Sequence, residues 1–207
     1  MRSTDPGARR PIVLLASGAG SLAQSILDRA DDPDTSYRVA ALVSDRDCEA
    51  AARADRSGVP TAVVRPAEYD DRAGWDRALT ETVGSFDPDW IVSAGFMRIL
   101  GPAFLERFDS RVVNSHPALL PSFPGVHAVR DALAYGVAVS GCTVHLVDAG
   151  VDTGPVIAQR AVEVLTDDTE GSLHERIKVA EREMLADVLT AATSGRLHIE
   201  GRKVHQS

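Results

Sequence analysis

Residues 11–29 read PIVLLASGAGSLAQSILDR, and this stretch decides the fold class. It opens on Pro11–Ala16, an apolar run too short for a helix and too uniformly apolar for a strand with one wet face. Ser17-Gly18-Ala19-Gly20-Ser21 then supplies a tight, glycine-bearing turn. From Ser21 to Arg29 the apolar residues recur at spacings of three and four, the period of an amphipathic helix. Buried strand, glycine turn and helix, in that order, open a βαβ unit.

The alternation continues downstream. Arg38–Ser44 (RVAALVS), Pro60–Val64 (PTAVV), Asp89–Ser93 (DWIVS) and Arg111–Asn114 (RVVN) are further short runs rich in Val, Ile and Leu, with helical patterns at Cys48–Ser57 and Asp71–Val83. Such a series predicts an α/β fold, a doubly wound, mostly parallel sheet flanked by helices. The second half predicts strands at Cys142–Val147 and Val156–Val162 and a long helix from about Gly171 to Thr190. That helix carries Leu173, Ile177, Ala180, Met184 and Val188 as its apolar stripe. A small hairpin, Arg196–Ile199 with Lys203–His205, follows around Glu200-Gly201. The expected organisation is an unstructured start, 1–10, and one domain, 11–207.

Composition narrows the partners. Of 207 residues, 44% are hydrophobic and 25% charged, the mix of a globular protein with ample core. The net charge of −8 disfavours a nucleic-acid backbone as the main ligand, because that needs a basic face. A small anion needs only a local patch or a helix start. Cys48 and Cys142 stand far apart, outside any CxxC pattern, as expected of thiols in a reducing compartment. No run approaches 18 apolar residues, and MRSTDPGARR lacks the apolar centre of a signal peptide. These features predict a cytoplasmic protein with no membrane partner.

In a doubly wound sheet, ligands bind beyond the carboxyl ends of the strands, so the chemistry is sought there. The Ser17–Ser21 turn offers free N–H groups to a phosphate, though neither a P-loop Lys nor the third dinucleotide glycine is present, Ala23 standing in its place ahead of Gln24. A plain tight turn explains the same residues. Asn114-Ser115-His116-Pro117 ends a buried strand, and residues two apart in extended chain share a face. An amide and an imidazole side by side can hold a developing oxyanion and move a proton, whereas an isolated NxH more often only satisfies loop backbone. Asp148-Ala149-Gly150-Val151-Asp152-Thr153-Gly154-Pro155 is a shaped loop whose aspartates are turn formers or partners of an imidazole, whose pKa a carboxylate would raise. Ala94–Leu100 could line a flat heterocycle pocket or simply pack into the core. Lys178 and Glu181 share one side of the long helix; a salt bridge between them is the bland reading, and an amine or phosphate partner the functional one. The remaining histidines, His127, His145, His174, His198 and His205, show no metal-ligand spacing, so no metal is expected.

Three stretches, AGFMRIL (94–100), NSHPALLPSFPGVHA (114–128) and GCTVHLVDAGVDTGPVI (141–157), together resemble the phosphoribosylglycinamide formyltransferases. The resemblance runs from about Ile12 to Leu197. It implies a Rossmann-like formyltransferase fold with a phosphate-binding half, 11–110, and a catalytic and folate-binding half, 111–207. It implies purine biosynthesis and one-carbon metabolism, with 10-formyltetrahydrofolate as co-substrate and glycinamide ribonucleotide as acceptor, in a monomer or homodimer. Asn114, His116 and Asp152 match the catalytic trio. Met97, Arg98, Ile99 and Leu100, with Arg72 and Asn114, match folate-binding positions, the pterin head lying near 148–152. Gly20, Ser21 and Leu22 match the turn that holds the substrate phosphate, Glu181 the residue on its ribose, and Lys178 could assist. Many relatives carry Asn where this chain has Leu22, which leaves only main chain there. Wider relatives that act on tRNA usually carry an RNA-binding domain, and deformylases an N-terminal regulatory domain; the short acidic chain and its first strand near residue 11 fit neither. A nucleotide-binding module without catalysis would not need Asn114, His116 and Asp152 together.

Overall fold

The computed structural model describes residues 8–206. Among the described residues, nine strands and six α-helices run β1 (Arg10–Ala16), α1 (Ser21–Ala30), β2 (Tyr37–Ser44), α2 (Glu49–Arg56), β3 (Thr61–Val63), α3 (Arg72–Gly84), β4 (Trp90–Ser93), α4 (Pro102–Arg107), β5 (Val112–His116), α5 (Ala128–Tyr135), β6 (Val139–Leu146), β7 (Val156–Glu163), α6 (Glu170–Thr193), β8 (Leu197–Glu200) and β9 (Lys203–Gln206). The main sheet has the order β3-β2-β1-β4-β5-β6-β7, and β8-β9 form a separate hairpin.

The continuous apolar runs are explained by packing on both faces. In β1, Ile12, Leu14 and Ala16 enter one buried cluster and Val13 and Leu15 the other. Val92 and Val113 point to the first cluster, and their neighbours Ile91 and Val112 to the second. The first cluster is completed by α1, α2 and α6, the second by α3 and α4. An alternating strand would leave one of these layers polar.

β1 to β5 pair in parallel, whereas β5-β6 and β6-β7 are antiparallel. The chain steps outward from β1 to β2 and β3, then returns to place β4 on the other side of β1. That reversal makes the carboxyl ends of β1 and β4 the switch point of the sheet. The turn after β1, the 94–100 segment after β4 and the end of β5 therefore meet at one edge. Buried Asp76 of α3 braces this edge. Its carboxylate accepts from Gly101 N (2.8 Å) and Ala103 N (2.9 Å), which caps α4 and fixes the segment before it.

The expected unstructured start falls on residues 1–7, outside the described residues, and on residues 8–10, where the expectation is corrected. Arg10 is the first residue of β1, and Arg9 Nη1 donates to Ala30 O at 2.7 Å.

Candidate active site

Asn114 and His116 come from β5 and, two residues apart, project from the same face of the sheet. The 147–155 loop folds back over them. Asp148 shapes that loop, its Oδ1 accepting from Gly150 N (3.0 Å) and Thr153 Oγ1 (2.6 Å). Gly154 is required by close approach, since a Cβ there would sit 1.8 Å from Leu146 O. Asp152 adopts the left-handed region (φ 54°), uncommon for a residue with a Cβ, and so turns its carboxylate inward.

The result is a cluster of four side chains. Asp152 Oδ2 lies 3.3 Å from His116 Nδ1, and its Oδ1 lies 3.6 Å from His145 Nε2. Gly125 N donates to Oδ2 at 2.8 Å, which ties the 121–127 segment to the same carboxylate. Asn114 Nδ2 is 3.1 Å from His145 Nε2. His145 Nδ1 faces the Leu146 carbonyl at 2.8 Å and so carries a proton; Nε2, between Asn114 Nδ2 and Asp152 Oδ1, accepts an Asn114 N–H in the neutral ring and donates to the carboxylate in the imidazolium. This fixes the amide plane and leaves the second N–H of Asn114 for another acceptor. His145 went unrecognised as a site residue in the sequence. It stands inside the apolar strand CTVHLV, and only its register opposite Asn114 reveals its role.

His116 Nε2 is 2.8 Å from the Phe123 carbonyl, so both of its ring nitrogens face acceptors. Only the imidazolium satisfies both. Burial nevertheless pushes the ring's pKa below its ordinary 6.5, while the Phe123 carbonyl and Asp152 push it back up. This corrects the expectation of a raised pKa: Asp152 acts in that direction, but at 4% exposure desolvation is the larger effect. Hydrogen bonding to His145 outweighs burial at Asp152 and, with Gly125 N, brings its carboxyl down to about 2.

The turn after β1 is positioned by α2. Gly20 is the N-cap of α1 in the left-handed region (φ 72°), and a Cβ on it would strike Ala50 at 2.6 Å. The first-turn amides of α1, Leu22 N among them, have no intrahelical acceptors. The Ser21 side chain is exposed, whereas Leu22 packs against the core and offers only its main chain. Of the two readings of Lys178 and Glu181, the salt bridge between them is not seen among the described residues. Lys178 Nζ pairs with Glu175 Oε1 at 2.7 Å, because the two lie on the exposed side of the helix. Glu181 is buried, and burial raises its pKa, an effect that the charges of Arg182 and Lys178 offset only in part. Ser115 Oγ has no partner at hydrogen-bond distance. Among the described residues, no hydrogen bond or ion pair links Lys178 or Glu181 to Gly20, Ser21 or Leu22.

In the segment after β4, Met97 (66% exposed) and Ile99 (60%) face outward, and Phe96 and Leu100 anchor it in the core. Arg72 donates to the Ile99 carbonyl and lies 4.7 Å over the Trp75 ring. Arg72 and Arg98 share an open cavity of about 290 Å³ with Pro66, Tyr69, Asp71 and Trp75. Arg98 also pairs with buried Asp45 at 2.7 Å, a residue that belongs to no recognisable motif. Among the described residues there is no cluster of three or more metal-ligating side chains, and no helix is long and apolar enough to cross a membrane.

A sequence model of the family described as formyl transferase matches residues 10–189. The chain is 53% identical over 205 residues to the phosphoribosylglycinamide formyltransferase of Mycobacterium tuberculosis, covering 96% of this chain and 95% of that protein. Among solved structures, glycinamide ribonucleotide transformylase 1 from Symbiobacterium toebii superposes with a TM-score of 0.93 at 43% identity, covering 96% of this chain and 94% of that one. A formyltetrahydrofolate deformylase from Pseudomonas syringae superposes with a TM-score of 0.90 at 25% identity, covering 98% of this chain and 67% of that one.

Proposed function

The chain belongs to the formyl transferase family, and on that premise we propose that it is a phosphoribosylglycinamide formyltransferase of purine biosynthesis. It moves the formyl group of 10-formyltetrahydrofolate to the amine of glycinamide ribonucleotide. The observation that carries this reading is the side-chain cluster: an oriented amide N–H of Asn114 and the imidazole of His116, braced by one carboxylate at 3.3 Å.

The reaction follows from those groups. The neutral amine nitrogen attacks the formyl carbon, and the carbonyl electron pair moves onto oxygen. Asn114 Nδ2–H and His116 Nε2–H stabilise that charge, the latter once it turns from the Phe123 carbonyl; each such donor is worth about 10²–10³ in turnover. The forming oxyanion is a second negative charge beside His116. The imidazolium, disfavoured by burial beforehand, therefore becomes favoured as the tetrahedral intermediate forms. Asp152 holds the ring and its charge. The attacking nitrogen then loses a proton and the folate N10 gains one; the electron pair on oxygen re-forms the carbonyl as the C–N10 bond breaks, its electrons staying on N10 of the released tetrahydrofolate.

The two subsites follow the sheet. The turn at Gly20, Ser21 and Leu22 takes the phosphate on main-chain amides, with Glu181 and Lys178 on the ribose side. Met97, Arg98, Ile99 and Leu100, with Arg72 and Asn114, line the folate. Residues 11–110 thus form the phosphate-binding half and 111–207 the catalytic and folate-binding half of one domain. A monomer or homodimer in the cytoplasm fits this small-molecule chemistry. The test follows tetrahydrofolate release spectrophotometrically with and without glycinamide ribonucleotide. Release that requires the ribonucleotide is expected; release with water alone would assign a deformylase instead.

A further inference from the structure

The turn after β1 has a glycine on each side of Ala19, Gly18 and Gly20. Glycine visits both hands of the backbone map about equally, so the peptides of such a turn can flip unless something holds them. Two groups of α2 do so. Ala50 N donates to Gly18 O at 3.0 Å, and Arg53 Nε donates to Ala19 O at 3.0 Å. Arg53 is half-buried. Its Nη1 lies 3.5 Å from Gln24 Oε1 of α1, and its Nε 3.8 Å from Glu49 Oε1 of its own helix. The guanidinium is thereby lodged between α1 and α2 with one N–H on the turn.

The peptides on both sides of Ala19 are trans, and in a planar trans peptide the C=O and the N–H point opposite ways. A carbonyl held toward α2 therefore aims the amide of the same peptide away from α2. Ala19 N–H and Gly20 N–H are aimed in this way, and among the described residues neither donates a hydrogen bond. With the first-turn amides of Ser21 and Leu22 they form a continuous run of free donors, the kind of concavity that receives an anion. The Leu22 side chain packs against the core and adds no donor, so the grip on an anion depends on how the main chain is aimed. We propose that Arg53 is a positioning residue for the substrate phosphate: by holding the Ala19 carbonyl it aims Gly20 N–H at the phosphate and keeps a carbonyl oxygen out of the phosphate's place. This rests on the formyltransferase reading above and adds to it a residue of α2.

The test compares kcat/KM for glycinamide ribonucleotide with kcat/KM for glycinamide riboside, the same acceptor without its phosphate. Their ratio reads the phosphate subsite and does not depend on how much of a preparation is folded. The variants differ in the atom that replaces Nε. Arg53→Gln keeps an N–H donor at that position, Arg53→Met places a methyl there, and Arg53→Lys places a methylene there while keeping the charge. The ratio is expected to fall about 10-fold in the Met and Lys variants, mainly through the ribonucleotide KM, and to stay within about 3-fold of wild type in the Gln variant. The Lys and Gln pair carries the test if Arg53→Met folds poorly. A ratio unchanged in the Met and Lys variants overturns the proposal, and so does a ratio lost as fully in Gln as in Lys. Either result leaves the formyltransferase reading intact. Absence of ribonucleotide-dependent turnover in the wild-type protein overturns both.

Discussion

Asp152 and Asp45 both lie at the ligand edge of the sheet, and their partners set them apart. Asp152 faces two histidines, His116 and His145. Asp45 faces two arginines, Arg46 and Arg98. An imidazole can gain or lose a proton near neutral pH, whereas a guanidinium stays charged. The first carboxylate therefore steers a proton that moves during the reaction, and the second fixes geometry. A buried carboxylate alone says nothing of its role; its partner's titration range does.

The largest effect that sharpens this contrast is expected at the oxyanion donors. Asn114→Ala should lower kcat by about 10²–10³ with little change in ligand affinity. The same substitution leaves His145 Nε2 without its donor, so Asn114→Ser, which offers a shorter hydroxyl, should recover little of the rate. A loss seen mainly in KM would reduce Asn114 to a binding role.

A smaller effect is expected behind the 116–121 segment. Buried Thr143 donates to Ala118 O (2.7 Å) and accepts from Leu120 N (3.0 Å) and Gln159 Nε2 (3.0 Å), which holds the chain leaving His116. Thr143→Val keeps the shape and strands those groups, at a cost of about 1–3 kcal/mol. Denaturant unfolding reads it directly. A change under about 0.5 kcal/mol would mean that the groups find other partners.

The smallest effect separates the two aspartates most cleanly. Asp152 raises the His116 pKa against burial. A step that needs the imidazolium slows as pH rises through that pKa. Removing the Asp152 charge lowers the pKa, so in Asp152→Asn the falling limb of the pH–rate profile moves to lower pH, by about one unit. In Asp45→Asn the limb should stay in place, because Asp45 does not face the imidazole. Equal shifts in both variants would erase the distinction.

The layered sheet was legible because β1 to β5 are apolar on both faces, and the turns after them are marked by glycine or by Asn-x-His-Pro. The antiparallel turn of β6 and β7 was not, since an apolar run carries no direction. The six-residue α4 was missed because its start is capped from a distance by Asp76, not by a local residue. Asn114, His116 and Asp152 were visible as motifs, but their contact depends on a left-handed Asp152 that sequence does not encode locally. His145 and Asp45 were hidden for the same reason: each owes its place to register or to packing between distant segments. Burial also reversed the expected shift at His116, an effect that depends on tertiary structure.

The most direct test of the central claim is made on His116→Ala. Turnover and the affinities for glycinamide ribonucleotide and tetrahydrofolate are measured on the same preparation. The account predicts affinities within about 3-fold of wild type and a loss of turnover of at least about 10²-fold. Full turnover in that variant would contradict it, and the reacting groups would have to be sought elsewhere along the sheet edge.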